Sequence, residues 1–143
     1  MSALRKTVVL DSNLIVSAFL NPEGAASQAM QIALDYFDVA ASKDTLTELV
    51  DVLRRDKFDR YASKEDRATR VMAYAEATQK SQVTHVVTDC SDPKDNKFLE
   101  LALSSKACIL VSGDKKHLIS MNPYQGLPII GVREFIETYQ RYL

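Results

Sequence analysis

Five short apolar segments, at residues 7–10, 37–41, 83–87, 108–112 and 128–130, are separated by longer stretches whose apolar residues recur every three to four positions. A buried strand reads as a short apolar run and a helix as a 3.6-residue period, so this alternation predicts a parallel sheet covered by helices. The helix-period stretches have readable faces: Leu46, Leu49, Val50 and Leu53; Ala68, Val71, Met72 and Ala75; and Val132, Phe135, Ile136, Tyr139 and Leu143. Residues 25–37 are apolar on most sides, which predicts deep burial or a subunit interface. With 143 residues, 46% hydrophobic and 26% charged, the chain reads as one domain spanning 1–143, without repeats or linkers.

Several function classes drop out. No apolar run reaches the length of a membrane helix, and MSALRK leads into the first strand without a secretory pattern, so a cytoplasmic protein is expected. Cys90 and Cys108 do not form a C-x-x-C pair, and His85 and His117 are the only histidines, which supports a zinc site poorly. A net charge of −1 argues against holding nucleic acid by bulk positive charge, though it leaves room for a local basic groove.

The acids are more telling. VVLDSNLIVSAFL sets Asp11 between two apolar runs, where an ionised carboxylate needs hydrogen bonds or a cation to offset its desolvation. Ligands of open α/β sheets gather at the carboxyl ends of the strands, and two acids fall there: Asp11 after the first strand and Asp114 after the fourth, in ILVSGD, with Gly113 permitting a tight turn. A third lies in SDPKDNKFLELAL. If a helix starts near Pro93, Asp95 shares a face with Phe98, Leu99 and Ala102 and points inward, whereas Lys94, Lys97 and Glu100 face solvent. Asp92 reads as the cap of that helix. Taken singly, Asp11 and Asp114 also read as caps. Taken together with Asp95 they would converge on one sheet edge, where Mg²⁺ or Mn²⁺ is the usual compensation for crowded carboxylates.

VVLDSNLIVSAF, TELVDVL, DPKDNKFLELAL and ILVSGDKKHL, in that order and spacing, resemble the PIN-domain nucleases, which include the VapC-like toxins of toxin-antitoxin pairs. The resemblance covers nearly the whole chain. It implies a three-layer α/β/α fold with a five-stranded parallel sheet of order 3-2-1-4-5. It also implies an acidic quartet at Asp11, Glu48, Asp95 and Asp114, with Asn13 and Ser112 as donors fixing the carboxylates; Asp92 is a candidate additional acid that many family members lack. Helical periodicity alone puts Glu48 on a solvated face, so only the resemblance promotes it, and Asp44, Asp51 and Asp92 compete for its place.

An oxygen-only set of carboxylates fits one or two Mg²⁺ or Mn²⁺ ions and metal-dependent phosphodiester hydrolysis. The family implies single-stranded RNA as substrate, although DNA presents the same phosphodiester. It also implies a small antitoxin as partner, with residues 25–37 contributing to a homodimer or to the antitoxin groove. Cations for the phosphate chain are Lys94, Lys97, Lys115 and Lys116 near the acids, and Arg54 and Arg55 at a helix end, where they equally complement the helix dipole. Lys57 and Arg60 follow in RRDKFDR, and Tyr61 is placed to stack a base or to serve as a surface aromatic. Two rival readings are a receiver-like signalling module and a PIN fold that binds without cutting. The first wants an acid pair at strand one, where Asp11 stands single.

Overall fold

The computed structural model describes residues 4–114 and 116–143. Its elements in chain order are β1 (Thr7–Leu10), α1 (Ser12–Leu20), α2 (Ala25–Tyr36), β2 (Asp38–Ala41), α3 (Lys43–Leu53), α4 (Lys64–Ala77), β3 (Gln79–Lys80), α5 (Asn96–Ser105), β4 (Ile109–Ser112), β5 (Ile129–Gly131) and α6 (Val132–Thr138). All strand pairs are parallel, as the alternation of segments predicts, and the sheet order is β3-β2-β1-β4-β5, as the family resemblance implies.

The sheet divides the interior in two because neighbouring strand residues point to opposite faces. Val8 and Leu10 of β1 join Leu14, Phe19, Leu49, Val71 and Phe135 on the face covered by α1, α2, α3, α4 and α6. Val9 joins Phe98, Leu99, Leu101 and Leu118 on the face covered by α5 and two loops. Side chains buried on both faces explain why the strands read as continuous apolar runs.

Three expectations are corrected. Residues 83–87 form no strand, and the third strand is the two-residue β3. The backbone N–H groups of Thr84 and His85 donate to Ser104 Oγ, and that of Val87 to Glu100, so α5 side chains take the donors a ladder would use. The buried residues of α4 are Arg67, Val71 and Tyr74, and Met72 is 65% exposed. The face turns because Arg67 is buried, donating to the Ala62 carbonyl at 2.8 Å and pairing with Asp59 at 2.7 Å, an arrangement that a hydrophobic pattern cannot register. Leu143 is exposed because α6 gives way to a 3₁₀ turn at Tyr139–Tyr142, which breaks its period. Of α2, only Ala29 and Ala33 are fully buried. Cys90 and Cys108 are both free thiols.

Helix α3 starts at a reciprocal cap: Ser42 Oγ accepts from Thr45 N–H and Thr45 Oγ1 from Ser42 N–H. Replacing Ser42 by alanine is expected to cost about 1 kcal/mol, read as a lower urea midpoint at unchanged slope.

Candidate active site

Strands β1 and β4 are parallel neighbours in register, Leu10 beside Val111, so their carboxyl ends deliver Asp11 and the Ser112-Gly113-Asp114 turn to one place. Asp11 is 2% exposed. Its carboxylate caps α1 by accepting from Leu14 N–H at 2.9 Å, and it also accepts from Gly113 N–H at 3.0 Å and from the Ser112 hydroxyl. Burial raises its pKa, the three donors pull it back, and the charge of Asp114 raises it further. The buried Ser112 hydroxyl also accepts from Asp114 N–H at 2.9 Å, so one side chain links the two acids. Asp114 in turn accepts from Lys116 N–H at 2.8 Å and His117 N–H at 3.4 Å. The capping readings of Asp11 and Asp114 thus hold alongside their convergence.

Gly113 permits the tight turn through space and not through an unusual backbone angle. Its φ is not left-handed; a Cβ there would stand 3.0 Å from Leu14 N and 3.2 Å from the Asn13 carbonyl carbon, so the glycine permits close approach of the β4 turn to α1.

Asp95 ends a short 3₁₀ turn, Pro93–Asp95, that Asp92 caps through Lys94 N–H at 3.1 Å. Phe98, Leu99 and Ala102 anchor the following helix under the sheet, and Asp95 is accordingly half-buried. Its pKa is pushed up to about 7, first by desolvation, then by the charges of Asp92, Asp114 and Asp11 and by a hydrogen bond to Asp114. Asp95 therefore feels the charge of three other acids at one end of the sheet. Oxygen donors crowded in this way suit a hard divalent ion by their chemistry. Among the described residues, no three His, Cys, Asp or Glu side chains are closed into a ready-made metal cage.

Glu48 is engaged by a cation of α5. It forms an ion pair with Lys97, each side chain 23% exposed, bridging α3 to α5. Lys97 and Glu100 are consequently not the solvent-facing charges expected of them, since Glu100 holds the Val87 N–H. Arg55, Lys94 and Lys97 line one cleft of about 420 Å³ together with Asp44, Glu48 and Asp51. Arg54 turns away, toward a cavity shared with Lys64 and Met72. Asn13 and Lys116 are exposed, and Lys115 lies outside the described residues.

Some site groups had no readable signal. The Leu14 and Gly113 N–H groups that hold Asp11 belong to the backbone, which side-chain patterns do not report. Buried Tyr74 has its hydroxyl pKa raised by burial and by the charge of Asp11. His117 Nδ1 lies 2.8 Å from Ser91 Oγ, tying the loop before α5 to the turn after β4.

A family model described as a PIN domain matches residues 7–116. The chain belongs to the PIN-domain family. Two solved structures share the fold: VapBC2 from Rickettsia felis bound to a DNA fragment from their promoter, with a TM-score of 0.60 and 13% identity over 87% of this chain and 98% of that one; and DNA-bound VapBC from Salmonella typhimurium, with a TM-score of 0.59 and 13% identity over 91% and 99%. MJ1680, an uncharacterized protein of Methanocaldococcus jannaschii, is 28% identical over 158 aligned positions covering all of this chain and 97% of its own. No described helix of this PIN domain is long and apolar enough to cross a membrane.

Proposed function

We propose that this PIN domain is a Mg²⁺- or Mn²⁺-dependent endonuclease that hydrolyses single-stranded RNA, and that it is the toxin of a toxin-antitoxin pair. The observation that carries the reading is Asp95, half-buried and pressed by the charges of Asp92, Asp114 and Asp11 at the carboxyl ends of β1 and β4. Membership of the PIN family and the shared fold of VapBC structures support it.

Asp11, Asp95 and Asp114 would hold the ion, with Asp92 beside them. A divalent ion bound there supplies a water of lowered pKa and positive charge for the phosphate oxygens. The remaining work falls to the chain. Ser112, Gly113 and Leu14 fix the Asp11 carboxylate so that it need not reorganise, and the Ser112 hydroxyl keeps Asp114 in step with it. Asn13, exposed in the first turn of α1, stands at the mouth of the site. Lys94 and Arg55 would meet the phosphate chain in the cleft on the α3 side, where Lys97 is paired with Glu48, and Lys115 and Lys116 are candidates beside Asp114.

An antitoxin segment with apolar side chains would suit the cleft of about 340 Å³ between α1, α2 and α4, lined by Phe19, Met30, Leu34 and Tyr74. That cleft uses part of the segment at 25–37, as does any homodimer built on the same face.

The test is incubation of the purified protein with end-labelled RNA and DNA, with Mn²⁺ or with EDTA. Cleavage of RNA that requires the ion is expected; intact substrate under every condition would reject the enzyme. Glu48 has its own test. Glu48→Gln breaks the pair with Lys97, and a fall in cleavage that Lys97→Met does not reproduce is expected if Glu48 acts on the ion or its water. Equal falls in both variants would make Glu48 the anchor of Lys97 instead.

A further inference from the structure

We infer that a trough leading from the turn beside Asp11 to the rings of Phe58 and Tyr61 is the path of a single-stranded oligonucleotide, with Tyr61 as the platform on which a base stacks. This rests on the nuclease reading above and adds to it where the substrate lies.

Two open cavities, of about 400 and 360 Å³, share Ser17, Ala25 and Ala26 in their walls, so they join over the α1–α2 junction. The first is walled at its near end by Ser112 and Gly113, whose hydroxyl and N–H donate to Asp11. The second is walled at its far end by Phe58 and Tyr61. Small side chains at the shared stretch leave room for a chain to pass between the two ends.

The far end has the chemistry of a base and a phosphate together. Tyr61 is 53% exposed, and the Arg60 guanidinium lies 4.8 Å from its ring centroid while donating to its hydroxyl at 2.9 Å. Lys57 Nζ lies 5.1 Å from the Phe58 centroid. Among the described residues neither Lys57 nor Arg60 has a carboxylate within ion-pair distance, and neither does Arg133 at the near end. Glu134 is the single acid among the described lining residues of the two cavities. Cations without an internal partner, set against an exposed ring, complement a polyanion whose bases present flat faces. Leu14, Ile119 and Val132 give the first cavity an aliphatic wall as well, and it is the exposed ring beside the unpartnered Lys57 and Arg60 that favours a nucleic acid over a protein segment.

The whole chain contains no tryptophan, so Tyr61→Trp in an Asp114→Asn background places a single reporter at the platform. Saturating oligouridylate should quench its emission, and an abasic oligomer of the same length should not. In the same background, Tyr61→Ala should weaken binding of labelled oligouridylate by roughly 5- to 150-fold, the scale of one base stacked on an aromatic ring, and Tyr61→Phe should keep the parent affinity. Oligonucleotide that binds by anisotropy without changing the reporter, or that binds Tyr61→Ala as it binds the parent, overturns the path while leaving the cleavage assay of the wild-type chain to stand on its own. A wild-type chain that neither binds nor cuts the oligonucleotide overturns the path and the nuclease reading together.

Discussion

Asp11→Asn, Asp95→Asn and Asp114→Asn are each expected to lower metal-dependent cleavage by more than about 100-fold, at or beyond the scale on which removing one preorganised electrostatic group is felt. Each change keeps the shape of the side chain and removes one negative charge from the cluster. The contrast that makes the result diagnostic is Ser112→Ala, which leaves all the acids in place and removes only the hydroxyl joining Asp11 to Asp114. Loss of such an outer partner typically costs about 10- to 100-fold in activity or metal affinity, so its effect should be smaller than that of any acid. The measurement is initial cleavage rate over a Mn²⁺ titration. Acid variants that keep parental rates at saturating Mn²⁺, in any two of the three positions, would remove these residues from the chemistry.

The second large effect is on stability, and its sign runs against the usual behaviour of a carboxylate. The folded protein holds the Asp95 carboxyl at about 7, whereas the unfolded chain releases its proton near the ordinary value of 3.8. Between those two pH values the native state binds a proton that the unfolded state has given up, so stability falls as pH rises from about 4 to about 7 and is level above. Asp11 is displaced in the same direction and adds to the slope. Asp59, held down by Lys64 and Arg67, acts oppositely, and its contribution is lost only as pH drops below the ordinary carboxylate range, outside this window. Mn²⁺ added at pH 7.5 should restore stability by an amount that grows with its concentration, logarithmically once the site is saturated, as mass action requires. In Asp95→Asn the fall with pH should shrink, the metal-free protein should melt higher than its parent at pH 7.5, and the gain from Mn²⁺ should diminish. Melting curves of both proteins across pH 4.5 to 8, with and without Mn²⁺, decide the matter. A mutant less stable than its parent without metal, with an unchanged response to Mn²⁺, would mark Asp95 as an ordinary structural acid.

The sequence speaks clearly where a polar side chain contradicts its surroundings. Asp11 stands between apolar runs and Asp114 follows a buried strand, and the sheet order places the two side by side. Asp95 is legible because its inward direction follows from the spacing to Phe98, Leu99 and Ala102. The pairing of Glu48 with Lys97 is not legible, because the residues are 49 positions apart and on different helices. Residues 83–87 mislead for a physical reason: a run of strand-forming residues reports willingness to extend, not which partner satisfies its N–H groups, and here Ser104 and Glu100 do. Met72 misleads because periodicity counts Arg67 as a surface residue.

Arg67 also bears on how such a protein diversifies. The connection between α3 and α4 that carries Phe58 and Tyr61 is fastened to α4 by this guanidinium, through the Ala62 carbonyl and Asp59, with Lys64 adding pairs to Asp56 and Asp59. All of these bonds are local, made between the connection and the first turn of the helix that follows it. The carboxylates at the ends of β1 and β4 share none of them. A lineage can therefore rewrite the connection, lengthening it or changing its rings and charges, as one exchangeable cassette, while the acidic end of the sheet is inherited untouched.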